Sequence, residues 1–234
     1  MAEALHRPAP ELPEAVGAGI AVFDLDGTLS LRDTFLPFLL GCLWRIPARW
    51  SALPRLVLVT AAHYAGFVDN HALKAIFLTA ILGGATEDEL RPWTVKFLDH
   101  LIRRGLRQDA VAALAAHRAA GATTVLATAS PELYVRPLAA RLGFDAVIAT
   151  RLERRVDGRF TGRLDGGNCH GPEKAARFAT WRASAQASGP VTVYTDHHAD
   201  LPLLAMADHP FAVSPTRRLR EAAASRNISL VAWN

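Results

Sequence analysis

The sequence predicts an α/β protein, a doubly wound parallel sheet with an inserted helical cap. Three observations predict it. Short apolar, β-branched runs alternate with helical stretches through the second half of the chain, the pattern of strand–helix–strand units in a parallel sheet. The run Ile20–Phe23 ends abruptly in Asp24 and Asp26, then Gly27 and Thr28. Between that run and the next, residues 31–118 read as helix throughout, far too long for a simple crossover.

In chain order, strands are expected at Gly19–Asp24, Thr123–Thr128, Ala146–Thr150 and Val191–Asp196, with a weaker one at Phe211–Ser214. Helices are expected at Pro131–Leu142, Pro172–Ala187, Asp200–Ala207 and Pro215–Ser225. Three of these carry proline near the start, where its missing N–H costs nothing. Pro47, Pro54, Gly66, Gly83-Gly84 and Gly105 divide residues 31–118 into four or five helices. Val156-Asp157-Gly158-Arg159 marks a hairpin with an Asp-Gly turn within Arg151–Leu164. The expected division is therefore a core of residues 18–30 and 119–234, a cap of residues 31–118, and a mobile tail of residues 1–17 rich in Ala, Pro and Glu.

Half of the 234 residues are hydrophobic, enough for a sizeable core. The formal net charge of +4 is carried almost entirely by arginine. It favours anionic partners such as phosphorylated metabolites or an acidic membrane surface. No basic stripe interleaved with aromatics argues for nucleic acid. Two cysteines far apart, Cys42 and Cys169, make no disulfide framework and fit a reducing cytoplasm. No Gly-x-Gly-x-x-Gly follows the first strand, so nothing points to a dinucleotide redox enzyme. Leu56–Val68 holds thirteen residues without a formal charge, following Arg45, Arg49 and Arg55. That is too short to span a bilayer. It reads either as a buried cap helix or as an interfacial patch with arginines at lipid headgroups.

Four points fall at or just after strand ends, where open α/β sheets bind ligands. They are Asp24/Asp26, Ala127-Thr128-Ala129-Ser130, Lys174 just inside a helix, and Asp196 with Asp200. Two like charges as close as Asp24 and Asp26 need compensation, most simply a divalent cation. Each segment also has a plainer reading: an Asp-Gly turn, a strand-end hydroxyl, a solvated helix lysine, a loop acid, a helix N-cap. Together they supply what phosphoryl transfer requires, which is mostly positioning and charge neutralisation. Lysine is scarce: Lys74, Lys96 and Lys174 stand against 23 arginines. A compact ammonium is not freely exchanged with a planar guanidinium, so a surviving lysine draws notice.

In order and spacing these four segments resemble the motifs of the haloacid dehalogenase superfamily of phosphatases, over roughly residues 19–233. The first, Asp-Leu-Asp-Gly-Thr at 24–28, is the specific one. The insertion is similar to a C1-type cap, and the layout resembles the phosphoserine-phosphatase-like branch, subfamily IB. The resemblance implies Asp24 as nucleophile, Asp26 as general acid and base, and Lys174 as the neutralising cation. It implies Thr128 and Ala129 with Lys174 around the phosphate, and Mg²⁺ on Asp24, Asp196 and the Asp26 carbonyl. Asp200 and Thr28 would support the site. Two departures stand out. Thr195-Asp196-His197-His198 replaces the usual Gly-Asp-Ser or Gly-Asp-Asn, bringing imidazoles that would either widen metal preference or face solvent. Ala129 stands where phosphoserine phosphatases commonly carry glycine.

The expected substrate is a small phosphate ester, phosphoserine-like, or a lipid phosphate. Arg32-Asp33-Thr34-Phe35 and Leu56–Val68 are similar to a phosphatidylglycerophosphatase branch, which would add peripheral membrane contact through the cap. A phosphotransferase of the same fold is a further alternative. Oligomeric state leaves no mark on the sequence.

Overall fold

The computed structural model describes residues 18–234; the expectation for residues 1–17 lies outside them. A six-stranded sheet runs β3-β2-β1-β6-β7-β8, every pairing parallel. Its strands are β1 (Ile20–Phe23), β2 (Thr123–Pro131), β3 (Ala146–Thr150), β6 (Val191–Thr195), β7 (His209–Val213) and β8 (Ser229–Val231). The strand β8 was not foreseen. It is three residues at the sheet edge with one polar and two apolar side chains, too short for alternation to show.

β1 alternates strictly between two apolar layers. Ala21 and Phe23 join one buried cluster; Ile20 and Val22 join the other. Both faces are covered, which is why the strand reads as a continuous apolar run. The helices α7 (Pro172–Ser184), α8 (Leu201–Leu204) and α9 (Arg217–Ala223) supply Phe178, Leu203 and Leu219 to the second layer. The helices α5 (Gln108–Ala119) and α6 (Glu132–Leu142) supply Ala110, Leu114, Leu133 and Leu138 to the first.

That first layer continues into the insertion. The helices α1 (Phe35–Arg45), α2 (Leu53–Tyr64), α3 (Asn70–Leu82) and α4 (Glu87–Arg104) lie between β1 and α5. Phe38, Leu39, Leu78, Leu82 and Leu98 belong to the same cluster as Phe23. The expected breakers act as stated at Gly66, Gly83-Gly84 and Gly105, which follow α2, α3 and α4. Pro47 and Pro54 instead sit at starts, of a 3-10 segment (Pro47–Ala52) and of α2, where proline is tolerated. Thr86 and Glu89 form a reciprocal capping box at the start of α4. Among the described residues no helix is long and apolar enough to cross a membrane.

The expected hairpin is present as β4 (Leu152–Arg154) and β5 (Phe160–Leu164), paired antiparallel. It is not a detached flap. Gly84 donates its N–H to the Phe160 carbonyl (2.7 Å), and Phe160 returns one to Ala85 (2.9 Å). Gly162, at φ +84°, approaches α3 so closely that a Cβ there would lie 2.3 Å from Thr79 Cα. The hairpin thus ties the sheet side of the chain to the inserted helices.

Gly162→Ala is expected to destabilise the protein by about 1–3 kcal/mol from backbone conformation alone, with the backbone clash added, read as a drop in Tm. A second expectation concerns His117 on α5, whose Nε2 lies 2.9 Å from the Tyr194 hydroxyl and whose ring packs edge-on against Phe23. Burial pushes its pKa down from 6.5 to about 4. The unfolded chain therefore holds an extra proton between those values, and stability falls as pH drops from 6.5 toward 4. His117→Gln should flatten that part of the Tm–pH profile; an unchanged slope would mean His117 is not the group responsible.

Candidate active site

The register of β1 assembles the site. Phe23 pairs with Leu126 of β2 on one side and Tyr194 of β6 on the other. Asp24, whose N–H reaches the Tyr194 carbonyl at 2.9 Å, therefore lies level with Ala127 and Thr195. Thr128 and Asp196 follow one residue later on each neighbour. Strand order reverses at β1, so this is the switch point of the sheet, where a crevice opens at the strand ends.

Lys174, in the first turn of α7, is the cation at the centre. Its Nζ donates to Asp24 Oδ1 and to Asp200 Oδ2, each at 2.8 Å. Asp200 Oδ2 also accepts from the Thr195 hydroxyl at 2.7 Å. All four residues are buried. Burial alone would lower the Lys174 pKa, but the Asp200 and Asp24 carboxylates outweigh it and hold the ammonium above its ordinary range. Asp24 moves the other way from a normal carboxylate. Burial pushes it up to about 8, Lys174 opposes, and Asp200, Asp196 and Asp26 add to the rise.

Asp196 lies beside Asp24, linked through Thr28. The Thr28 hydroxyl is 3.4 Å from Asp196 Oδ1 and 3.5 Å from Asp24 Oδ2. Burial raises Asp196 to about 6. Gly27, at φ +82°, is the turn that permits this approach, since a Cβ there would sit 2.4 Å from Asp196 Oδ2. Asp200 Oδ1 is buried without a hydrogen-bond partner. An excess of carboxylates over one ammonium, with an orphaned acceptor oxygen, fits a hard divalent cation. No three His, Cys, Asp or Glu side chains among the described residues form a complete cage. Of the two histidines after Asp196, His197 Nδ1 accepts the Ala199 N–H at 3.2 Å, while the His198 ring lies 4.2 Å from that of His197 and its Nδ1 is buried without a hydrogen-bond partner.

Asp26 is held from the opposite side. Its Oδ1 accepts the Thr34 N–H (2.7 Å) and hydroxyl (2.6 Å), and its Oδ2 accepts the Ser130 hydroxyl (2.6 Å). The Thr34 hydroxyl is in turn 2.9 Å from the Tyr134 hydroxyl. Burial raises the Asp26 pKa, against these hydrogen bonds. Thr128 is buried, and its hydroxyl accepts the Ser130 N–H at 3.0 Å, shaping the turn after the strand core. The Ala129 carbonyl accepts from Thr150 (2.7 Å) and from Lys74 of α3.

Lys74 was not singled out for the site in the sequence, nor were Thr34 and Tyr134, whereas Asn168 lies in the segment Asn168-Cys169-His170-Gly171, just before Lys174, where a substrate contact was expected. Lys74 Nζ also reaches Asn168 Oδ1 at 2.8 Å and lies over the Phe35 ring. Burial lowers its pKa to about 8. The lysine scarcity that marked Lys174 applied equally to Lys74, so a signal was available. Thr34 and Tyr134 carried none, because their role arises from tertiary contact with Asp26. A cavity of about 300 Å³ lies above, with Asp26, Ala129 and Ser130 at its base and Phe35, Lys74 and Phe77 from the inserted helices.

Residues 21–205 match the family described as haloacid dehalogenase-like hydrolase. The chain is 38% identical over 195 residues to Protein CicA of Caulobacter vibrioides, covering 81% of this chain and 83% of that one. It is 28% identical over 221 residues to Histidinol-phosphatase of Neisseria meningitidis serogroup C, covering 87% and 94%. Among solved structures, a protein of unknown function from Bordetella pertussis Tohama I superimposes with a TM-score of 0.79 at 28% identity, covering 92% and 98%. A substrate-bound phosphoserine phosphatase shares the fold, with a TM-score of 0.62 at 14% identity over 91% and 92%. A match over residues 21–205, which takes in four of the six sheet strands and the insertion between the first two, makes this chain a member of the haloacid dehalogenase-like hydrolase family, and an enzyme.

Proposed function

We propose that this hydrolase is a Mg²⁺-dependent phosphatase that cleaves an organic phosphate monoester through an aspartyl-phosphate. The observation that carries the reading is the inequality of the two Asp24 oxygens. Oδ1 is fixed by Lys174 at 2.8 Å, while Oδ2 has only a 3.5 Å contact with Thr28. One oxygen is anchored and the other is left to attack.

Asp24 Oδ2 forms a bond to phosphorus as the bond to the ester oxygen breaks. Asp26, whose burial favours the protonated form, donates its proton to the departing alcohol. Now ionised, Asp26 removes a proton from water, whose oxygen attacks phosphorus; orthophosphate leaves and Asp24 is restored. The sum is ester plus water giving alcohol plus orthophosphate. Thr34 and Ser130 aim the Asp26 carboxyl. Lys174, held by Asp200 and Thr195, and Thr128 with Ala129 form the cradle for the transferred group. Asp24, Asp196 and the Asp26 carbonyl would hold Mg²⁺, with Thr28 alongside; the ion supplies neutralisation of phosphate charge.

In this reading residues 18–30 and 119–234 are the core and 31–118 the cap, although α5, the last helix of that span, lies on the sheet layer. The leaving group occupies the cavity beneath Phe35, Leu73 and Phe77, with Lys74 and Asp33 as its charged neighbours. The relatives named for histidinol phosphate and phosphoserine support a small phosphate ester. The apolar lining also suits a lipid phosphate, and a panel holding both sources separates them.

Asp24→Asn should lower kcat by about 10³-fold or more on any phosphomonoester with Tm unchanged; activity within tenfold of wild type would remove Asp24 as nucleophile. Asp26→Asn should cost about 10²–10⁴-fold on an alkyl phosphate. The loss should be much smaller on p-nitrophenyl phosphate, whose leaving group needs no proton. Equal losses on both would take the acid role from Asp26.

A further inference from the structure

The least explained surface is the outer side of α1 and α2. The twelve residues of α2 include one formal charge, Arg55, yet only Leu56 is buried. Val57 and Leu58 are 66% and 70% exposed, Trp44 69%, Tyr64 86% and Phe67 85%. Of the large hydrophobic side chains exposed among the described residues, most lie between Leu31 and Phe67. An exposed apolar patch of that concentration marks an interaction site.

Charge says what covers it. Residues 34–68 contain Arg45, Arg49 and Arg55 and no aspartate or glutamate. Arg45 and Arg55 are exposed, Arg45 lying over the Trp93 ring. Apolar side chains, tryptophan and tyrosine rings and unopposed arginines are the composition that sits at an anionic lipid–water boundary. A second copy of the chain placed on the same face would set these arginines mostly against each other, with Asp33, which accepts the Leu36 N–H, the acid at its edge. The patch is also continuous with the site. A groove lined by Leu40, Leu43, Leu53 and Val57 shares Leu36, Thr60, Tyr64 and Phe77 with the cavity above Asp26.

We infer that the outer face of α1 and α2 docks on an anionic lipid bilayer, so that the cavity mouth at Leu36, Thr60 and Tyr64 opens at headgroup level. This goes beyond the proposed phosphatase activity and does not depend on which ester is cleaved.

The test is co-sedimentation of the full chain with phosphatidylglycerol/phosphatidylcholine vesicles and with pure phosphatidylcholine vesicles, at low and high salt. Alongside it run turnover of p-nitrophenyl phosphate in vesicle-free buffer and Tm. The expected result is binding to anionic vesicles, weakened by salt and much weaker on phosphatidylcholine. Val57→Asp with Leu58→Asp should reduce it by about tenfold or more, leaving turnover and Tm as in wild type. No vesicle binding at low salt, equal binding to both lipids, or undiminished binding by the double variant would overturn the inference. So would a concentration-dependent dimer dissolved by the same substitutions in a chain that binds no vesicles. Absent turnover by wild type, with vesicle binding intact, would sink the phosphatase reading and leave the docking face standing.

Discussion

One ammonium shared between two carboxylates organises the site. Lys174 bonds Asp24 and Asp200 together at 2.8 Å each, in a place from which water is nearly excluded. At an effective dielectric near 20, unit charges 4 Å apart interact by about 4 kcal/mol. Asp24, Asp196 and Asp200 gathered near one lysine therefore leave more carboxylates than cations in the pocket. Burial first, and the neighbouring carboxylates after it, raise the pKa values of Asp24 and Asp196. The surrounding structure exists to hold this imbalance: Thr195 steadies Asp200, Gly27 admits Asp196, and the switch point brings three strand ends to one level. The excess of negative charge that the fold enforces is what a dication would relieve.

The core sheet and the placing of Asp24, Lys174 and Asp200 together were legible because much of both is written locally. A strand buried on both faces must be a continuous apolar run, and a carboxylate that follows it directly emerges at the sheet's ligand-binding edge; Ile20–Asp26 shows both in seven letters. The parallel register then carries Thr128 and Asp196 to Asp24 without further information. The clamp on Asp26 was invisible for the opposite reason. Thr34 and Tyr134 are 8 and 108 positions away, and nothing in their own neighbourhoods distinguishes them from ordinary hydroxyls; Ser130, 104 positions away, fell in a segment that was singled out, but its bond to Asp26 arises only from the tertiary fold. Lys74 falls between these cases: rare by composition, but placed on Ala129 and Asn168 only by how α3 packs.

Short elements were misjudged where length defeats periodicity. The helix expected at Asp200–Ala207 is a 3-10 turn at His198–Asp200 followed by four helical residues. Its Asp200 serves Lys174, whereas an N-cap role was the plainer reading. The reading of Leu56–Val68 as a buried cap helix failed as well, since among the residues of α2 only Leu56 is enclosed.

The hairpin β4–β5 sets how the enzyme can breathe. Because Gly84 and Ala85 exchange backbone hydrogen bonds with Phe160, and Gly162 nests on Thr79, the α3 end of the insertion is pinned to the sheet. It cannot swing as a lid hung from a single pair of linkers. The α2 flank has no such tie to the hairpin and is mostly exposed, so the mouth of the cavity at Thr60 and Tyr64 is bordered by the most water-averse skin of the molecule.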